Sequence, residues 1–135
     1  MDSSFTAKHI SSQWATLCKS AQSSAKQLAE ECHEAAAALM NSEADRFCRL
    51  PAPTTRDQLN AAYTRRMALS ARLTAIKRAE ALARANPDVM EQILAETARF
   101  CDGELPGDGE TFLALQKRNL ELTARIADLC AAVAR

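Results

Sequence analysis

The hydrophobic positions of this chain recur every three or four residues over long stretches, which is the spacing of one face of an α-helix. The first stretch predicts a helix over residues 6–49. Its apolar stripe consists of Ile10, Trp14, Leu17, Ala21, Leu28, Cys32, Ala35 and Leu39. Pro51 and Pro53 follow directly, and proline ends a helix because it lacks an amide hydrogen and restricts the residue before it.

Two shorter patterns follow, and they predict a second helix over residues 55–85 and a third over residues 88–101. Between them, Pro87 suits the first position of a helix, and Asp88 suits the positive end of the helix dipole. The glycine-rich sequence at 103–109 predicts a loop.

The last pattern predicts a helix over residues 110–135, and its apolar positions alternate in steps of three and four, which is a heptad seam. The seam is the predicted interface: Phe112, Leu115, Asn119, Leu122, Ile126, Leu129 and Val133. Leu113, Leu120 and Cys130 widen the apolar arc to about 200°. So broad an arc needs neighbours on two sides, so the helix either lies inside the bundle or also contacts another chain.

Asn119 is the polar member of this seam. A polar side chain at such a position can fix the register and the oligomeric state of a coiled coil. Alternatively, it is a partly exposed asparagine at the edge of an ordinary bundle. The sequence leaves both interpretations open.

Length and composition favour one all-α domain over residues 1–135. The chain has 135 residues with only 3 glycines, 4 prolines and 4% aromatic residues, whereas a β-sandwich needs more β-branched and aromatic residues. We therefore predict a bundle of three to four helices, with two long helices and a coiled-coil-like helix at the C-terminus.

The charges balance to a formal net charge of zero, which argues against nucleic acid as a partner. Their distribution is uneven, because residues 54–87 are strongly basic and residues 88–110 are strongly acidic. Either the two segments partly neutralise one another in the fold, or one of them meets a charged partner.

The candidate chemistry is incomplete in every case. Glu30 and His33 have the Glu-x-x-His spacing of di-iron bundles, but such sites need a second motif, and Thr6 occupies the glutamate position before His9. We therefore predict no metal ligands, no catalytic residues, no cofactor and no small-molecule substrate. Phosphate-binding glycine motifs are also absent from the sequence.

Cysteine usage favours a reducing compartment. The five cysteines are odd in number, form no Cys-x-x-Cys pair and lie in predicted helices. The N-terminus lacks the pattern of a signal peptide, and the longest apolar run is too short for a membrane span. The expectation is a soluble cytoplasmic protein without a transmembrane segment.

The layout of residues 20–85 resembles that of phasins, the small helical proteins that coat polyhydroxyalkanoate granules. The resemblance is carried by an alanine-rich helix (QLAEECHEAAAALMN), a short break (RLPAPTTRDQL) and a second helix with regularly placed leucines. It implies non-enzymatic binding to a hydrophobic granule and oligomerisation through helices.

The sequence thus predicts a non-enzymatic helical protein that self-associates and binds a hydrophobic or protein surface. The alternative is an adaptor or secretion-type chaperone that binds an amphipathic helix of a partner protein. Both hypotheses predict a homo-oligomer or a protein partner.

Overall fold

A computed structural model describes residues 3–134, and within that range the chain forms α-helices and no strand. This confirms the all-α fold. The helices are α1 (Ser3–Ala29), α2 (Glu34–Cys48), α3 (Arg56–Ala85), α4 (Met90–Phe100) and α5 (Gly109–Ala134), with one 3-10 turn at Pro87–Val89.

Helix α3 is the centre of the bundle and packs against all four other helices. Helices α1 and α2 fold back on one another along it, so that Trp14 meets Phe47 with ring centroids 5.2 Å apart. Helices α4 and α5 pack against α3 and against each other. The core is rich in alanine, which lets helices approach closely, and its large buried apolar side chains include Met40, Phe47, Leu69, Leu73, Ile76 and Ile93.

The predicted single helix over residues 6–49 is wrong, because the chain turns between α1 and α2. His33 has an extended backbone (φ −52°, ψ 144°), and its Nδ1 accepts the amide hydrogen of Ala35 at 3.2 Å, which caps α2. Beyond the turn the buried face shifts to Ala36 and Met40, whereas Ala35 of the predicted stripe is exposed.

Polar side chains from the C-terminal half of α3 stabilise this turn. Glu80 accepts the amide hydrogen of His33 at 3.1 Å, and Lys77 donates to the carbonyl of Leu28 at 3.4 Å. Arg84 donates to the carbonyl of Glu31 and also pairs with Glu80. Backbone groups that a helix end leaves without partners are thus satisfied from a distant part of the chain.

The other predicted boundaries agree closely with the structure. Helix α3 begins at Arg56, and the hydroxyl of Thr55 accepts the amide hydrogen of Gln58 at 3.1 Å. The predicted third helix starts as the 3-10 turn and continues as α4, while α5 begins one residue early at Gly109. Residues 1, 2 and 135 of the predicted domain lie outside the described residues. None of the helices within residues 3–134 is long and apolar enough to cross a membrane.

Candidate functional site

The predicted interface residues of α5 mostly face the core of their own chain. Leu115, Leu122 and Ile126 are buried, and Phe112 and Leu129 are partly buried against the same core. The remaining two positions are less covered, because Asn119 is half-buried and Val133 is 40% exposed. Packing on α3 and α4 therefore occupies most of the heptad seam.

Asn119 has a partner within the chain. Its Oδ1 accepts a hydrogen bond from Nη2 of Arg78 at 2.8 Å, and the same nitrogen donates to the hydroxyl of Thr123 at 2.9 Å. This position agrees with an asparagine at the edge of the bundle. A role of Asn119 in the register of an oligomer stays a prediction.

The opposite side of α5 carries an exposed apolar stripe. Leu113 is 64% exposed and Leu120 is 72% exposed. At 100° per residue, Leu113 lies about 180° around the helix from buried Leu122. We call this stripe the outer face of α5; it consists of Leu113, Leu120, Ala124, Ala127 and Ala131, all exposed.

A buried ionic network joins α2 to α3. Arg72 is fully buried, and its Nη1 lies 2.9 Å from Oε2 of Glu43, which is 1% exposed. The other carboxylate oxygen of Glu43 accepts from Nη1 of Arg46 at 2.8 Å. One carboxylate thus holds two guanidinium groups, in surroundings where an unpaired charge is costly.

The same two arginines hold the chain after α4. Arg46 donates to the carbonyl oxygens of Cys101 at 3.2 Å and Gly103 at 2.7 Å. Arg72 donates to those of Gly103 at 3.3 Å and Glu104 at 3.2 Å. Gly103 has φ +92°, a conformation that glycine adopts without strain.

Burial, followed by the charge of Glu43, raises the pKa of the Cys101 thiol to about 12.

Two cavities flank this loop and share Arg65, Glu104 and Leu105 in their walls. The larger one, of about 730 Å³, has a mostly apolar wall formed by Trp14, Leu50, Pro51, Pro53, Ala61 and Leu105. The smaller one, of about 430 Å³, has a polar side formed by Arg65, Arg72, Glu104, Asp108, Thr111 and Arg118. We call the two cavities together the Arg65 cleft.

Arg65 is a half-buried cation without an acceptor. Within residues 3–134 its guanidinium has no hydrogen bond or ion pair. It lies against Gly107, where a Cβ would come within 2.7 Å of Nη2. The carboxylate of Asp108 instead accepts the amide and hydroxyl hydrogens of Thr111, each at 2.8 Å. These bonds, and then the charge of Arg65, hold the pKa of Asp108 below its usual value.

Glu30 and His33, which form the incomplete di-iron motif, do not lie on one helix. His33 caps α2 through its imidazole, and Glu30 is exposed in the turn between α1 and α2, so the two no longer share a helix. His9 lies on the exposed side of α1. The part of the chain that the structure describes contains no group of three histidine, cysteine, aspartate or glutamate side chains able to hold a metal ion.

The five cysteines are free thiols. Cys48 donates to the carbonyl oxygen of Cys18 at 3.6 Å, and burial together with Cys18 raises the pKa of Cys48 to about 12. A thiol with so high a pKa stays protonated at neutral pH and is a poor nucleophile.

The basic and acidic segments predicted from the sequence meet around the Arg65 cleft. None of the ion pairs within residues 3–134 joins residues 54–87 to residues 88–110. Arg72 of the basic segment donates to the carbonyl oxygens of Gly103 and Glu104 in the acidic one.

Comparison with known proteins adds no relative. No family model, no curated protein and no solved structure matches this chain. The alanine-rich segment that resembles phasins spans the end of α1, the turn at His33 and the first half of α2, so it is not one continuous helix.

Proposed function

We propose that this chain is a non-enzymatic, cytoplasmic interaction protein that forms a homodimer through the outer face of α5. The observation that carries the proposal is the exposure of Leu113 and Leu120, one heptad apart on the side of α5 that faces away from the bundle. Exposed apolar stripes of this kind are typical of interaction surfaces. The free thiols support a reducing compartment.

The order of residues along the outer face favours an antiparallel pairing with a second copy. Its large side chains lie in the first half of α5, and the small ones lie in the second half. A two-fold axis near residue 122 therefore places Leu113 against the partner's Ala131 and Leu120 against the partner's Ala124. Large side chains facing small ones pack without voids.

Charge complementarity supports the same orientation. The antiparallel arrangement brings exposed Lys117 next to the partner's Asp128, and the two-fold symmetry repeats this pair. A parallel arrangement would instead place Lys117 beside its own copy, which is unfavourable. The contact area is small, so we expect a dissociation constant of roughly 1–100 µM.

Sedimentation velocity of the purified chain over a range of concentrations tests this proposal. Leu120→Lys is expected to weaken the dimer at least tenfold, because a charge replaces an apolar contact near the centre of the interface. Met67→Lys is the matched control, because Met67 is 59% exposed on α3 and lies outside the outer face.

A charge exchange tests the orientation. Lys117→Glu is expected to weaken the dimer, and adding Asp128→Lys is expected to restore it, because the exchanged pair attracts again only across an antiparallel interface. A wild-type chain that stays monomeric at several hundred micromolar contradicts the proposal. So does a Leu120→Lys variant that dimerises as the wild type does. Binding of monomers to hydrophobic particles would instead favour a granule-coating role.

A further inference from the structure

We propose that the Arg65 cleft binds an organic monocarboxylate, with the carboxylate on the Arg65 guanidinium and an apolar body in the larger cavity. This inference goes beyond the proposed dimer, because the ligand body occupies the larger cavity among α1, the turn after α2, α3 and the loop after α4, whereas the dimer uses the outer face of α5. Helix α5 lines the smaller cavity through Thr111, Ala114, Leu115 and Arg118, which do not belong to the outer face.

The size and lining of the larger cavity fit a small organic molecule. Its volume of about 730 Å³ lies within the range of small-molecule sites, roughly 300–1,000 Å³. Such sites are mainly apolar with a few polar groups that fix orientation. Trp14, Leu50 and Leu105 supply apolar surface here, and Arg65 supplies the cation.

Arg65 differs from the neighbouring arginines of α3 because its guanidinium lacks an acceptor. Arg66 donates to the hydroxyl of Ser24 at 3.0 Å, and Arg72 pairs with Glu43 at 2.9 Å. A half-buried guanidinium without a partner has lost part of its hydration and gained no bond in exchange. A carboxylate supplies the missing acceptor, because its two oxygens match the fork of the guanidinium.

Other charged groups limit the ligand to one negative charge. Asp57 and Glu104 line the larger cavity and repel a second anion there. Arg46, which also lines it, is already engaged by Glu43. A dianionic phosphate would bring two negative charges close to Asp57 and Glu104, whereas a monocarboxylate brings one.

The smaller cavity places charges of both signs around Arg65. Arg72 and Arg118 line it together with Glu104 and Asp108, and Arg72 is paired with Glu43. The carboxylate of Asp108 accepts its hydrogen bonds from Thr111 and none from Arg65. The guanidinium of Arg65 thus stands between a mostly apolar cavity and a polar one, and a ligand with a carboxylate and an apolar body can contact both.

The experiment uses Trp14, which lines the larger cavity and is the single tryptophan of the chain. A decanoate that carries a terminal bromine is titrated into the full-length protein, and bromine quenching of the Trp14 fluorescence reports occupancy. The uncharged probe is the corresponding bromodecanol. We expect saturable quenching by the carboxylate and binding of the alcohol that is about 10- to 100-fold weaker.

Two variants and one control test the role of Arg65. Arg65→Gln is expected to weaken carboxylate binding to the level of the alcohol. Gly107→Ala is expected to weaken it several-fold, because the new Cβ displaces the guanidinium. Arg56→Gln removes an exposed arginine at the start of the same helix, outside both cavities, and is expected to leave binding unchanged.

Each remaining outcome overturns the proposal. Absence of saturable quenching removes the site, and equal binding of the acid and the alcohol removes the role of the cation. Arg65→Gln that binds the carboxylate like the wild type places the anion elsewhere. Leu120→Lys is expected to bind the carboxylate normally, so failure of the dimer proposal and failure of the ligand proposal are distinguishable.

Discussion

Removal of Glu43 is expected to destabilise the fold by leaving the buried guanidinium of Arg72 without its carboxylate. Glu43→Met keeps a side chain of similar length and removes the charge. Breaking a buried ion pair from one side costs about 3–5 kcal/mol. Arg72 keeps its carbonyl acceptors at 3.2 and 3.3 Å, so we expect the lower end, about 3 kcal/mol.

The expected loss of unfolding free energy in Glu43→Met can also be expressed as a shift of the melting temperature. At about 2.1 cal/mol/K of unfolding entropy per residue, a loss of about 3 kcal/mol lowers the melting temperature by about 10 °C for a chain of 135 residues. Urea unfolding followed by circular dichroism measures the free energy, and a thermal scan measures the midpoint.

The double variant Glu43→Met/Arg72→Met separates the buried charge from the loss of packing. Replacing both partners of a buried pair by apolar residues is often neutral or stabilising. The double variant is therefore expected to recover most of the stability that the single variant loses. Arg46→Met is the milder control, because the Arg46 side chain is 45% exposed and its pair is partly screened. The reasoning is refuted if the double variant is as unstable as Glu43→Met, or if Glu43→Met costs less than about 1 kcal/mol.

Two further variants test the turn and the core. Burial opposes ionisation of Glu80, but the amide of His33, then Arg84 and Lys77, hold its pKa below the usual value. Its contribution to stability is therefore present above about pH 5 and is lost as the pH falls below the ordinary carboxyl pKa of about 4.3. The difference in unfolding free energy between wild type and Glu80→Gln should shrink on acidification, and a difference that stays constant contradicts this. Glu91→Gln, which changes an exposed carboxyl, is the control. Phe47→Ala removes a fully buried ring that packs on Trp14; it should cost about 3–5 kcal/mol in urea and red-shift the Trp14 emission, and a loss below about 1 kcal/mol contradicts it.

Local signals in the sequence predicted α3, α4 and α5 to within one or two residues. Thr55 caps α3 through its own hydroxyl, and Pro87 and the glycines at 103–109 stand beside the elements that they end or begin. The turn at 30–33 has no proline or glycine, and the hydrophobic spacing continues across it. Its stabilising partners come from α3, and hydrophobic periodicity does not reveal a distant partner.

The candidate sites likewise divide into features that local sequence patterns reveal and features that depend on distant parts of the chain. The heptad pattern of α5 includes Leu115, Leu122 and Ile126, which are buried within their own chain, but the pattern does not say whether a contact is within the chain or between chains. Arg65 was missed because its surroundings come from α1, the turn after α2 and the loop after α4. The sequence contained one signal that Glu43 is buried: it lies four positions after Leu39, so the helical spacing places it on the apolar stripe.

The hydrogen bonds from side chains of α3 to the backbone of the turn between α1 and α2 affect how the chain folds during synthesis. Lys77, Glu80 and Arg84 bind backbone groups that lie 49, 47 and 53 residues earlier. Residues 3–33 are therefore synthesised before Lys77, Glu80 and Arg84, whose side chains stabilise the turn between α1 and α2. We expect the nascent segment to extend as one amphipathic helix with an uncovered apolar stripe, and to fold into a hairpin only when α3 emerges.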